Sequence, residues 1–410
     1  WGWGGGGPHP KRAWSARKPG VRIGVVAAAN LRLLAAHEFC LIFDGILGQG
    51  FHAPLSAELR AFIRGTEALR GLRVAVDLPS GLGDDATGPA FRADLTVSIG
   101  CLKRPLLSPK SARFVGRLRV LDIGLPLGET EEACVTATNL TPLRRPRRAR
   151  SDKRHQGRLL IVGGSDRMPG AVLMNTAAAL RAGVALVTTC LPESVRAKAA
   201  VAYPEAMWRG LCTERDGRIA SSNLKEIRTL LADKDVLLIG SGMGVKSAKL
   251  IGAIAALCTA DLVLDADALR PSVITASKQA KVRVLLPHAG EFKRLSGRDA
   301  SIPAARAYAR KTKTVVVLKG PLTCITDGIR VIHIPFGGPV LARGGSGDLL
   351  GGIVASVLAR RKELGLTPFD AVVLGTTWHA RAADWLRETQ GEEAVRTTDL
   401  LAGLSPVLRG

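Results

Sequence analysis

Gly344-Gly345-Ser346-Gly347-Asp348-Leu349-Leu350-Gly351-Gly352 is the stretch whose reading decides the fold. Small residues lead into an aliphatic run, so a loop passes into a helix expected over 347–360. The first turn of a helix leaves N–H groups unbonded at the positive end of its dipole. A glycine-rich approach lets a phosphate or a developing anion come against them. Asp348 falls in that first turn, where two readings stay open. It can be an N-terminal capping carboxylate. It can also be a base aimed at a hydroxyl that attacks phosphorus. No GxxxxGK[ST] occurs, and no strand–GxGxxG–helix pairing is convincing.

Outward from this turn, short aliphatic runs end in Gly, Pro or Asp. Strands are expected at Leu159–Val162, Ala185–Thr189, Val236–Ile239, Leu262–Leu264, Val282–Leu286, Val315–Leu318 and Val331–Ile334, the last after the hairpin signal Asp327-Gly328. An alanine-rich helix over 170–182 and a final helix over 370–386 complete the pattern. The polar residues collect where the strands end: Gly240-Ser241-Gly242-Met243-Gly244, Asp265-Ala266-Asp267, Pro287-His288-Ala289-Gly290-Glu291 and Lys319-Gly320-Pro321-Leu322-Thr323. In open parallel sheets ligands bind outside those ends, so the turns outline a crevice rim.

The same rhythm occupies the front of the chain. Strands are expected at Val21–Ala29, Leu41–Phe43, Val74–Val76, Leu95–Ile99 and Leu118–Ile123, with a helix at Ala57–Arg64. Residues 1–20 have no period and are read as disordered or foreign. Residues 21–130 form a first α/β unit, 131–154 a basic linker, and 155–410 the second unit.

The 410 residues are 46% apolar and only 4% aromatic, which suits buried aliphatic strands. Net charge is +23. Residues 1–32 contribute +6 and residues 141–158 +7, together 13 of the 23. Neither segment interleaves aromatics, so both read as solvated tail or linker and not as a nucleic-acid surface. Seven cysteines without CxxC pairs read as reduced thiols of a cytoplasmic protein. No apolar run is long enough to span a membrane.

The second unit resembles the ADP/ATP-dependent NAD(P)H-hydrate dehydratases of the ribokinase-like superfamily. The resemblance rests on His155-Gln156-Gly157, Val162-Gly163-Gly164-Ser165, Met168-Pro169-Gly170-Ala171, Ala178–Gly183, the strand-end turns above, Gly344–Asp348 and His379. It implies phosphorylation of the hydroxyl of a hydrated nicotinamide cofactor by ADP or ATP with Mg2+, then loss of phosphate to restore NADH or NADPH. Asp348 would be the base. Ala171, Gly244 and His288 would contact the hydrate beside Asp348. Lys319, Gly320, Pro321, Leu322, Thr323 and Gly347 would lie along the nucleotide. Taken singly, His288 reads as a capping histidine, Lys319 as a loop lysine and His379 as a core residue.

The first unit resembles the NAD(P)H-hydrate epimerase domain, a Rossmann-like fold. Phe43–Gly50, Val76–Leu82, Arg92–Thr96 and Asp122–Pro126 carry the likeness. The resemblance implies a K+ ion at Asp44 and Ser80 and a hydrate contact at Asp77. The family's Asn-Asn-Gly-Gly-Asp-Gly loop is not found before Asp44. A truncated domain with an incomplete K+ site, exposed apolar surface and weak or absent epimerase activity is therefore expected. A homo-oligomer without membrane or nucleic-acid partners is the expected assembly. The alternatives are a vitamin-precursor alcohol kinase of the same superfamily and a basic nucleic-acid-associated protein.

Overall fold

A computed structural model describes residues 31–51, 54–84, 88–125, 130–146 and 156–409. The expected strand at 21–29, the segment 1–20, His155 and, of the two basic segments, residues 1–30 and 147–155 lie outside the described residues. The chain divides into two units, Trp1–Gly128 and Glu129–Gly410.

The first unit holds a parallel sheet in the order β1 (Glu38–Asp44), β2 (Arg70–Val76), β3 (Leu95–Ile99), β4 (Arg117–Leu121). Helix α1 (Ala57–Thr66) crosses between β1 and β2; the Ser56 hydroxyl accepts from Leu59 N at 3.2 Å and starts it. Ala75, Phe91 and Ala93 make a small core. Leu41, Leu72 and Leu121 remain about half exposed, and Phe43 is 65% exposed.

The second unit is built on a ten-stranded sheet. Its strands are β5 (Glu132–Cys134), β6 (Arg158–Val162), β7 (Leu186–Pro192), β8 (Met207–Leu211), β9 (Val236–Ile239), β10 (Asp261–Leu264), β11 (Arg283–Leu285), β12 (Val315–Leu318), β13 (Thr323–Thr326) and β14 (Val331–Ile334). They lie in the order β5-β14-β13-β12-β11-β10-β9-β6-β7-β8. All neighbours are parallel except β12/β13 and β13/β14, the hairpin that Asp327-Gly328 announces. The interior strands are buried along their length, and two cores cover the two faces of the sheet.

One expectation is corrected. Residues 131–154 are not simply a linker: β5 adds a parallel strand beside β14, and Leu140 is fully buried. Val135 and Leu140 anchor this stretch to the core while the basic residues around Arg144 stay outside, so charge hid the two apolar anchors. All seven cysteines are free; Cys190, Cys258 and Cys324 are buried.

The chain runs outward from β6 through β7 to β8, then returns to β9 on the other side of β6 and continues to β12. The direction reverses between β6 and β9, which places a crevice at their carboxyl ends. Two helices close on it: α2 (Pro169–Arg181) and α4 (Ser346–Ala359), with α3 (Ala289–Ser296) starting at the end of β11. Helix α5 (Pro368–Gln390) backs α4. Glycines let α2 and α4 meet. A Cβ on Gly352 would overlap the Asn175 backbone oxygen and stand 2.8 Å from the Ala178 Cβ.

Candidate active site

Five strand ends and one helix start build the rim. After β6, Gly164 N donates to Ser241 O at 2.8 Å, locking the turns of β6 and β9 together. A Cβ on Gly242 would stand 3.0 Å from that of Ala171, so the start of α2 sits directly over the β9 turn. Gly244 has φ 86° and its N–H donates to Asp267 Oδ2 at 2.7 Å. A side chain there would be strained.

At the end of β11, His288 caps α3. Its Nδ1 accepts from Gly290 N at 3.0 Å and Glu291 N at 3.3 Å, while its own N–H donates to Glu291 Oε2 at 2.9 Å. Capping fixes Nδ1 as the acceptor, so Nε2 carries the proton of the neutral ring. The side chain is 61% exposed. The capping role read from His288 alone is thus present, and Nε2 stands 3.5 Å from Glu291 Oε1 on the exposed side.

Lys319 follows β12; its N–H donates to Pro287 O at 2.8 Å, so it lies beside the His288 turn. Its ammonium donates to Asp265 Oδ1 at 3.0 Å and stands 3.9 Å from Glu291 Oε2. Burial alone would lower its pKa, but Asp265, Glu291 and Asp348 outweigh burial and hold it above the ordinary value. Gly320 and Pro321 are exposed, and Thr323 opens β13, so Lys319–Thr323 forms the accessible turn of a hairpin.

Helix α4 begins at this cluster. A Cβ on Gly347 would stand 3.2 Å from Lys319 Nζ and 3.8 Å from Asp265 Oδ2. Gly345 takes φ 87°, the left-handed turn that starts the helix. Asp348, partly buried, has its pKa pushed up to about 6. Burial is the main cause, and the Asp265 and Glu291 carboxylates add to it. The Ser241 hydroxyl and the Lys319 ammonium pull the other way. Ser241 Oγ is close enough to act on Asp348 electrostatically but has no partner that meets hydrogen-bond geometry.

Two further side chains fasten the turn, and neither was singled out from sequence. Asn175 on α2 donates through Nδ2 to Asp348 O at 2.7 Å. Thr397 Oγ1 donates to Gly344 O at 2.8 Å. Their separations in sequence, 173 residues for Asn175, leave no local signal. The motif residue His379 on α5 is buried, and burial with the Lys319 ammonium holds its pKa down, to about 4.

In the first unit, Asp44 and Ser80 do meet. Ser80 donates to Asp44 through N–H at 2.7 Å and through Oγ at 2.6 Å, and both are buried. Burial raises the Asp44 pKa despite those bonds. Asp77 has φ 71° and accepts from Ile99 N at 3.0 Å. Its partner, unforeseen from sequence, is the buried Lys103, whose ammonium bonds Asp77 Oδ1 and Ile99 O.

Comparison with known proteins fits both units. A family model described as NAD(P)H-hydrate dehydratase matches residues 159–405, and one described as YjeF-related protein N-terminus matches 13–105. The bifunctional NAD(P)H-hydrate repair enzyme Nnr of Moorella thermoacetica is 35% identical over 93% of this chain and 74% of its own length. The chain belongs to the NAD(P)H-hydrate repair enzyme family. The repair enzyme of Thermofilum pendens is 31% identical over 96% of this chain and 78% of its own. The ADP/ATP-dependent NAD(P)H-hydrate dehydratase of Bacillus subtilis, crystallised with ATP/Mg2+, is 26% identical with a TM-score of 0.57. That match covers 67% of this chain and 96% of that one. The ribokinase-like fold expected for the second unit of this repair enzyme is therefore present. No helix among the described residues is long and apolar enough to cross a membrane.

Proposed function

We propose that the Glu129–Gly410 unit dehydrates the S epimer of NAD(P)H hydrate at the expense of ADP or ATP, with Asp348 as the base. The carrying observation is a carboxylate raised to about 6, at the mouth of a helix N-terminus and facing a lysine. Such a group is ionised at neutral pH yet basic enough to take a proton. The hydrate hydroxyl would lose its proton to Asp348 as its oxygen bonds the terminal phosphorus. The nucleotide leaves with the electron pair of the broken P–O bond. Loss of the new phosphate with its C–O bonding pair, together with a proton from the neighbouring ring carbon, then re-forms the C=C bond and restores NAD(P)H.

Ala171, Gly244 and His288 line the side of the crevice assigned to the hydrate, with Nε2–H of His288 as a donor. Gly347 and the turn Lys319–Thr323 line the side assigned to the nucleotide, with the Lys319 ammonium against its phosphates. Magnesium fits the donor set in one way only. Among the described residues no cluster of three His, Cys, Asp or Glu forms a ready cage. Asp265 and Glu291, the carboxylates at Lys319, are hard oxygen donors that would hold an ion arriving with the nucleotide. When bound, Mg2+ neutralises charge on the phosphoryl oxygens.

For the first unit, a K+ ion suits Asp44, because a buried carboxylate of raised pKa gains from a nearby cation. Asp77 would meet the hydrate there. Conversion of the R to the S epimer of the hydrate is its assay.

Incubation with NADH hydrate, Mg2+ and ADP or ATP should release phosphate and restore reduced-nicotinamide absorbance, and Asp348→Asn should abolish both. An alcohol kinase would accumulate a phosphorylated product instead. Full activity of the Asn variant would remove Asp348 from its role.

A further inference from the structure

The helices that close the crevice end at a second cavity. Helices α2 and α4 start at the rim turns and run to Arg181 and Ala359. At ~1.5 Å per residue, their length carries the chain about 20 Å away from the crevice. There a cavity of about 390 Å3 opens in the second unit. Five stretches of chain meet around it: the one after β5, the end of α2, the end of α4, the middle of α5 and the C-terminal residues near Leu404. Arg144 Nη2 donates to Val407 O at 3.5 Å, and Trp378 Nε1 donates to Leu404 O at 2.7 Å. The first and last stretches are thus tied to each other and to α5.

The lining divides by chemistry. Leu143, Leu364, Trp378, Leu404 and Leu408 supply an apolar wall. Arg145, Arg181 and Arg360 share the cavity with Glu363, the one carboxylate among its described lining residues. Arg360 is buried and donates to Glu363 Oε2 at 3.2 Å and to Ala182 O at 2.9 Å, so its charge is matched. Arg145 and Arg181 have no carboxylate partner among the described residues. Arg181 donates only through Nε, to Leu401 O at 3.2 Å. Two unmatched guanidinium forks therefore stand beside an apolar wall, in a cavity within the size range of small-molecule sites. The forks suit the oxygens of an acid group, and the wall suits the body that carries it. A cation that served only to offset the dipole of a helix end would need no such wall. We propose that this cavity binds a small organic anion: an acid group held by Arg145 and Arg181, on a compact apolar body that lies against Trp378 and Leu404.

The probe is 1-anilinonaphthalene-8-sulfonate, an acid group on a compact aromatic body. It is titrated into the full chain carrying 15N on its tryptophan indoles, and the Trp378 signal is assigned from Trp378→Phe. That signal should shift and saturate, which separates the cavity from any other place where the probe adheres. The double variant Arg145→Glu with Arg181→Glu should bind about tenfold more weakly or worse, through loss of the charge-assisted bonds. Both side chains are exposed at the mouth, so the fold should persist. Lys225→Glu with Lys249→Glu makes the same charge change on exposed positions outside the lining and should leave affinity within about twofold. A last comparison needs no substitution: 1-anilinonaphthalene, the same body without its sulfonate, should bind at least about tenfold more weakly to the unaltered protein. A Trp378 signal that stays in place up to millimolar probe overturns the proposal. So does undiminished affinity in the arginine variant, an equal loss in the lysine variant, or equal binding of the neutral compound.

Discussion

Replacing Asp348 by asparagine should make the protein more stable while it destroys catalysis. The carboxylate sits where charge is disfavoured, first by burial and then by Asp265 and Glu291, and its pKa rises from 3.8 to about 6. At ~1.4 kcal/mol per tenfold, this corresponds to about 3 kcal/mol against the charged form. The sign follows from proton counts. Between pH 3.8 and about 6 the folded state keeps a proton that the unfolded state has released, so stability falls as pH rises through that window and is level above it. An asparagine of the same shape carries no such penalty. Its advantage should be about 3 kcal/mol at pH 7.5 and shrink to about 1 kcal/mol at pH 4.5. Urea unfolding at a series of pH values, with the slope m unchanged, reads the difference directly. An Asn variant that is no more stable at pH 7.5, or whose gain is the same at both pH values, would refute the reasoning.

The same pKa gives a kinetic expectation: kcat/KM for dehydration should rise with pH along a limb near 6, since only ionised Asp348 can take the proton. Lys319→Met removes the cation between Asp265, Glu291 and Asp348. Nucleotide affinity should drop about tenfold or more, and the limb should move above 6; a limb that stays in place would mean Lys319 does not act on Asp348. Gly352→Ala drives a methyl group into the backbone of α2 and should cost more than ~2 kcal/mol in urea unfolding, whereas a neutral result would mean that α2 and α4 can separate freely.

What could be read from sequence was whatever is local. β9, β12 and β14 fall at the expected residues because each is an aliphatic run stopped by a turn former. The edge strands β5 and β8 were missed, since Glu-Ala-Cys and Met-Trp-Arg-Gly-Leu lack the apolar run of a buried strand. The rim turns were legible for the same reason as the strands: each lies at its own strand end. Asn175 and Thr397 were not legible, because a polar residue on an alanine-rich helix or in a 3-10 turn gives no sign of a partner elsewhere in the chain. In the first unit Lys103 escaped likewise. It lies 26 residues from Asp77, in a loop whose folding alone buries the ammonium.

The choice that the motif left open, between a cap and a base, turns on energetics. A capping carboxylate accepts backbone N–H bonds at the positive end of the helix dipole, and both effects favour its charged form. Its pKa would lie low. Asp348 stands in the first turn of α4, yet its pKa is raised, and the helix start shows no side-chain cap bond at all. The N–H groups of Gly347 and Asp348, which a cap would consume, stay free among the described residues. Instead the chain secures the turn through its carbonyls, using Thr397 and Asn175 from outside the turn. Such an arrangement would be wasteful if the helix needed only a start, because one Ser or Asp before it would serve. It makes sense if the free N–H groups and the raised carboxylate are both kept for a ligand: anionic oxygens on the first, a hydroxyl proton on the second. These features favour the proposed role of Asp348 as a base over that of a cap.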